Sequence, residues 1–244
     1  MKKDRLFVFG DSWAFNYFSK ESMINSTLNI PNWPVPHFGS ECIKGYSIKY
    51  NYFGHWIDHM EFFYDVYSYA IPASPNEQII YQIGNLPKYK NGDRIIVIFA
   101  PPERFTWVRD NRVKGLVPHG EYFETIFKKE FVDIIKNQFI DRYDVWVKDE
   151  ETNEQKFLKL LPLFLSNYKP IFTSWYKPTS DKLDFIKYIN HDKFETITDE
   201  TNGKCRDYHL GVRGNYKLFK FFAKELGLDV KDYKYDIREP IKLL

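Results

Sequence analysis

Two short stretches constrain the fold most: Leu6-Phe7-Val8-Phe9 and Ile95-Ile96-Val97-Ile98-Phe99-Ala100. Neither alternates polar with apolar residues. Unbroken apolar runs of this length suit strands buried on both faces, which is the condition of a parallel sheet covered by helices. The second run is β-branched and uncharged after Arg94, and Asn91-Gly92-Asp93 turns the chain just before it. Between and after these runs, helical and strand-like patterns alternate. Strands are expected over 65–71, 169–175 and 195–198. Helices are expected over 12–20, 53–63, 76–83, 121–143, 154–165 and 181–189, with a last one from Gly214 to Leu226 closed by Gly227. This alternation predicts a doubly wound α/β domain with a central parallel sheet of about five strands. The 244 residues read as one domain, 1–244, carrying two irregular segments, 24–54 and 101–120. Connections that long are usually functional, and both are expected near the active edge.

Composition narrows the partners. The formal net charge is +2, and Lys and Arg are interspersed with Asp and Glu, so nucleic acid is not an expected partner. No run approaches the roughly 20 apolar residues of a membrane span. The apolar stretch after Met1-Lys2-Lys3 is too short for a signal peptide, so a cytoplasmic or virion-associated chain is expected. Cys42 and Cys205 form neither a CxxC pair nor a disulfide framework. His55 and His59 stand four apart on an expected helix, but Trp56 takes the place of the glutamate in His-Glu-x-x-His. A solvated pair is the simpler reading than a metal site, and no cofactor or metal is expected. Lys217, Lys220 and Lys224 read as a solvated helix face. Trp33, Tyr46 and Trp107 lie in the irregular segments, where aromatic rings pack or stack on sugars.

In parallel α/β sheets, ligands sit at the carboxyl ends of the strands. After the first strand comes Gly10-Asp11-Ser12. Glycine permits a tight turn, and Ser12 is left at the mouth of the next segment, with its hydroxyl at the sheet edge. Taken alone, Asp-Ser also fits a helix N-cap. The far end of the chain adds Asp207-Tyr208-His209 before the last helix. An aspartate two residues before a histidine in an extended loop can reach Nδ1, leaving the other nitrogen to take a serine proton.

Phe9-Gly10-Asp11-Ser12 together with Asp207-Tyr208-His209-Leu210-Gly211-Val212-Arg213-Gly214-Asn215 resembles the SGNH (GDSL-type) hydrolase family. The resemblance implies a flavodoxin-like three-layer α/β/α sandwich and a serine esterase acting on a small-molecule or glycan ester, such as an O-acetylated carbohydrate. It implies Ser12 as nucleophile, His209 as base and Asp207 as its orienting acid. The N–H groups of Ser12 and Ala73 would bind the oxyanion, with Ala73 standing where the family has glycine. The third block departs from the pattern: where the family has Gly-x-Asn-Asp, this chain has Ala100-Pro101-Pro102-Glu103-Arg104. Losing one oxyanion donor costs roughly 10²–10³ in rate. Asn76, Arg104 and Thr106 are the candidates to replace it. Arg104 also reads as half of an ion pair with Glu103 or another acid. The stretch Ala-Pro-Pro-Glu-Arg-Phe is similar to a Thr-Ser-x-Glu-Arg-Phe segment of SGNH-like proteins of phages. The missing donor leaves an alternative open, a catalytically weak or inactive SGNH-like binding or virion structural module. A flavodoxin-like nucleotide binder is disfavoured by the lack of a glycine-rich phosphate loop.

Overall fold

The computed structural model describes residues 3–14, 55–71, 74–109, 112–116, 137, 141, 143–148, 151–200, 202–203, 209–231 and 233. The chain divides into two compact units. One is formed by 2–15 and 67–189, the other by 16–66 and 190–244 together with residue 1.

The first unit holds the sheet except for the first two residues of one edge strand, Asp65 and Val66. Strands β1 (Arg5–Phe9), β2 (Asp65–Ser68) and β3 (Arg94–Phe99) form three of its members. A hairpin of β4 (Phe105–Arg109) and β5 (Arg112–Leu116) follows β3, and the sheet resumes at β6 (Ile171–Ser174) and β7 (Lys187–Tyr188). The parallel sheet runs in the order β2-β1-β3-β6-β7. Counted among sheet strands this is 2-1-3-4-5, the flavodoxin-like order, whose switch point lies between the first and third strands. The expected α/β class is therefore the observed one.

Alternate residues of β1 and β3 are buried on both faces. Phe7, Phe9, Ile95, Val97 and Phe99 join one core with Ile79, Trp146, Leu158, Leu161 and Phe172. Leu6, Val8, Ile96 and Ile98, of opposite parity, are also 0 % exposed. Two-sided burial explains why neither strand could alternate with polar residues. Each such side chain contributes about 1.5–3 kcal/mol through removal from water.

At the amino edge of the sheet, Arg5 forks onto Asp93, with Nε donating to Oδ1 at 2.9 Å and Nη2 to Oδ2 at 2.5 Å. Burial alone would raise the Asp93 carboxyl. The Arg5 fork and the Lys90 N–H outweigh it and hold the carboxyl below its usual range. Asp93→Ala removes the charged fork and leaves the half-buried Arg5 guanidinium with the Lys88 carbonyl and the Phe7 ring, so a loss of about 1.5–3 kcal/mol is expected in urea unfolding at pH 7. Because the folded-state pKa is depressed, the stabilisation from this pair is present above the ordinary carboxylate range and is lost as pH falls below it.

Several elements differ from the sequence reading. The irregular segment 101–120 contains an antiparallel hairpin pairing Phe105 with Leu116 through Arg109 with Arg112. The helix expected over 154–165 is two pieces, α3 (Asn153–Leu158) and α4 (Leu161–Phe164), with Pro162 in the first turn of the second. The helix expected over 181–189 is α5 (Lys177–Lys182), started early by Pro178, and the chain then extends into edge strand β7. The strand expected over 195–198 is a single bridge, Thr196 with Leu210, followed by α6 (Ile197–Glu200). Thr196 and Asp199 cap that helix reciprocally. Asp199 Oδ2 accepts from Thr196 N at 2.8 Å, and Thr196 Oγ1 accepts from Asp199 N at 3.2 Å. That local exchange outweighs the β-propensity of Ile197 and Thr198. Helix α2 (Asn76–Ile83) lies where it was expected. Most of 12–20 and 121–143 lies outside the described residues. Among the described residues, no helix is long and apolar enough to cross a membrane.

The second unit is built on α1 (Trp56–Met60) and α7 (Val212–Glu225). Trp56, Met60, Leu218, Phe219, Phe222 and Ala223 are 0 % exposed, and the rings of Trp56 and Phe222 lie 4.7 Å apart. The two histidines of α1 are buried, not solvated, and have separate roles. His55 is the N-cap, its Nδ1 accepting from Ile57 N at 3.3 Å. His59 Nδ1 lies 2.8 Å from the Tyr233 hydroxyl, among the rings of Tyr216, Phe219 and Tyr233. Burial pushes the His59 imidazole down to about 4. The unfolded chain takes up this proton near the ordinary value of about 6.5, before the folded chain does, so stability falls as pH drops from about 6.5 to about 4. The full effect is about 3 kcal/mol. In His59→Phe the difference between urea midpoints at pH 7 and pH 4.5 should shrink.

Candidate active site

The carboxyl ends of β1 and β3 flank the switch point, and both carry chemistry-bearing residues. Gly10 ends β1 with φ +158. A Cβ at Gly10 would stand 2.8 Å from the Ala14 Cβ and 3.0 Å from the Ile98 carbonyl oxygen, so this close approach to β3 requires glycine. The chain then turns, and Ala14 N donates to Asp11 O at 3.1 Å. The Asp11 side chain closes a second, smaller loop, its Oδ1 accepting from Trp13 N at 3.0 Å. Both bonds reach across Ser12. Ser12 is half-buried, and among the described residues neither its hydroxyl nor its N–H is hydrogen-bonded. A carbonyl oxygen that became negative beside Ser12 would meet one uncommitted backbone donor, the Ser12 N–H.

Asp11 is 1 % exposed, and its Oδ2 accepts from Arg104 Nη1 at 2.5 Å. The partner of Arg104 is thus the aspartate of Gly-Asp-Ser and not its chain neighbour Glu103. A turn with Arg104 N donating to Pro101 O at 3.2 Å brings Arg104 round to face β1. Asn76, the other candidate for the missing donor, is 1 % exposed at the start of α2. Its Oδ1 accepts from Ala100 N at 2.9 Å, and its Nδ2 donates to Ala100 O at 3.3 Å and Glu154 Oε1 at 3.2 Å. Asn76 therefore satisfies the backbone at the end of β3, where the chain leaves the sheet and Ala100 finds no ladder partner. Asn76 is thus no free donor, whereas the Nε of Arg104 is buried with no hydrogen-bond partner among the described residues. Ala73 lies outside the described residues, as do the side chains of Thr106 and Trp107 in β4.

The edge beyond Ser12 is aromatic. Trp13 follows Ser12 directly, and its ring lies 5.0 Å from that of Trp175, which follows β6. Ser174 anchors this corner, its Oγ donating to Phe99 O at 3.1 Å and accepting from Tyr176 N at 3.0 Å. Burial pushes the Tyr176 hydroxyl up to about 12, with the charges of Glu103 and Tyr143 adding to it. Tyr176 stays protonated at any physiological pH and can only act as a neutral hydrogen-bonding group.

His209 belongs to the other unit and is half-buried just before α7. A short antiparallel exchange holds its backbone, with Ile197 N donating to His209 O at 2.9 Å and Gly211 N to Glu195 O at 2.9 Å. Asn215 in the first turn of α7 locks the same loop. Its Nδ2 donates to Leu210 O at 2.9 Å and Gly211 O at 3.0 Å, and its Oδ1 accepts from Trp56 N at 3.2 Å. The sequence reading singled out neither the Asp11–Arg104 pair nor the Asn215 clamp. Asn215 did leave a trace, since a buried asparagine just inside a helix whose N-cap is glycine has lost its usual capping place. Asp207, Cys42, Cys205, Trp33 and Tyr46 lie outside the described residues.

Among the described residues, no group of three or more His, Cys, Asp or Glu side chains is placed to hold a metal ion. No family model, no curated protein and no solved structure matches the chain.

Proposed function

We propose that the protein is a serine ester hydrolase. The observation that carries this reading is the turn at the switch point, where Asp11 accepts from Trp13 N and Ala14 N while, among the described residues, the Ser12 hydroxyl and N–H are left uncommitted. His209 takes the proton from Ser12 Oγ as the oxygen bonds to the acyl carbon, and Asp207 orients the imidazole. The oxyanion is met by the N–H groups of Ser12 and Ala73. The alcohol leaves with the proton from His209, which then deprotonates water to release the acid and restore Ser12. An O-acylated carbohydrate suits the aromatic edge formed by Trp13 and Trp175.

A second reading, a binding or virion structural module on the same fold, is favoured by one observation. The amide of Asn76 is committed to Ala100 and Glu154, so it does not replace the third-block donor. A fluorophosphonate probe separates the two. Labelling that maps to Ser12, with turnover of short nitrophenyl esters, supports the hydrolase. Absence of labelling together with retention on a glycan array supports the module.

A further inference from the structure

The third-block departure has a structural counterpart in the Asp11–Arg104 pair. Pro101 and Pro102 fix the backbone after β3, the turn from Pro101 O to Arg104 N reverses it, and Arg104 arrives against the end of β1. Its guanidinium is 12 % exposed and the Asp11 carboxylate 2 %. The carboxylate is held on one side by the Trp13 N–H and on the other by Arg104. It stands one residue before Ser12, in a setting with little water to screen it.

A bare carboxylate there would oppose the chemistry proposed for Ser12. Attack on an ester places a second negative charge beside the first, and low local dielectric magnifies that repulsion. Yet Asp11 has its own task, since its Oδ1 holds the turn that keeps the Ser12 N–H uncommitted. The chain needs the carbonyl-type acceptor of Asp11 and cannot tolerate its charge. Arg104 answers both conditions: it leaves Oδ1 to Trp13 and neutralises the carboxylate through Oδ2.

We infer that Arg104 is a positioning residue that acts through Asp11, cancelling a buried negative charge next to the nucleophile so that the Ser12 turn can stabilise an oxyanion. The inference rests on the hydrolase reading and deepens it. The Ala-Pro-Pro-Glu-Arg segment thus lacks the family's side-chain donor but supplies a cation that removes an obstacle to the same charge.

The test follows the rate of fluorophosphonate labelling at Ser12 in the full chain, with circular dichroism as the measure of folding. Arg104→Met should slow labelling on the order of 100-fold, the size of effect one oxyanion interaction carries. Arg104→Lys, which restores the charge without the planar fork, should recover part of that loss. The deciding variant is Asp11→Asn with Arg104→Met. The asparagine keeps the Oδ1 acceptor for Trp13 N while both charges are gone, so labelling should return to within about tenfold of the unmodified chain. A strut whose only role is mechanical would leave the double variant as slow as Arg104→Met, and that result overturns the inference. So does an Arg104→Met chain that labels at the unmodified rate. If Arg104→Met fails to fold, the double variant alone decides by the same comparison with the unmodified chain. An unmodified chain that does not label, or labelling that persists in Ser12→Ala, removes the hydrolase reading and this inference with it.

Discussion

Ser12→Ala should leave the fold intact and lower ester turnover on the order of 10⁴-fold or more, the usual consequence of deleting a nucleophile whose base and oxyanion donors remain. Stability should change little, because among the described residues the Ser12 hydroxyl bonds nothing. The turn is held instead by Asp11, through Trp13 N and Ala14 N. Loss of turnover without loss of the urea midpoint is therefore the expected signature. Turnover undiminished in Ser12→Ala would assign the activity elsewhere. A large loss of stability would instead make Ser12 part of the scaffold.

Gly214→Ala should be the most disruptive small substitution in the other unit. Exchanging glycine for alanine inside a helix ordinarily gains up to about 1 kcal/mol. Here the new Cβ would fall inside the contact radius of the Glu195 carbonyl oxygen, with the Glu195 C and N atoms at 3.1 and 3.2 Å. These are backbone atoms, so no rotamer change relieves the clash. Either α7 or the 195–197 segment must move. Moving that segment breaks the bonds from Gly211 N to Glu195 O and from Ile197 N to His209 O. A net loss of about 3 kcal/mol is expected in urea unfolding, the upper part of the range for overpacking. A variant as stable as the unmodified chain would show that the two segments yield easily.

Much of this could be read from the chain itself. Strands β1 and β3 declared themselves through unbroken apolar runs, because a strand buried on both faces has no place for polar residues. The turn before β3 announced itself through Asn-Gly-Asp, whose Gly92 takes φ +97. Elements settled by local exchange were harder. Glu195 to Thr198 carries strand-forming residues, but the Thr196–Asp199 cap makes α6 of it. Lys187 and Tyr188 form a strand only because β6 offers an open edge. The hairpin of β4 and β5 went unread for a similar reason, since Phe105 to Leu116 pairs with itself and lacks a strong turn signal.

For the candidate site, the residue types and their order along the chain were legible: serine after the first strand, aspartate and histidine before the last helix, and no asparagine after the third strand. Sequence determined these because each is a covalent fact, and burial patterns along a strand are written in consecutive residues. Tertiary structure alone decided what the polar side chains do. Asn76 turns to the end of β3, Arg104 reaches back 93 positions to Asp11, and Asn215 ties the His209 loop to α1. Such partners are chosen by which strand ends meet at the sheet edge, or for Asn215 by how α1 packs on α7, and no local run of residues encodes either.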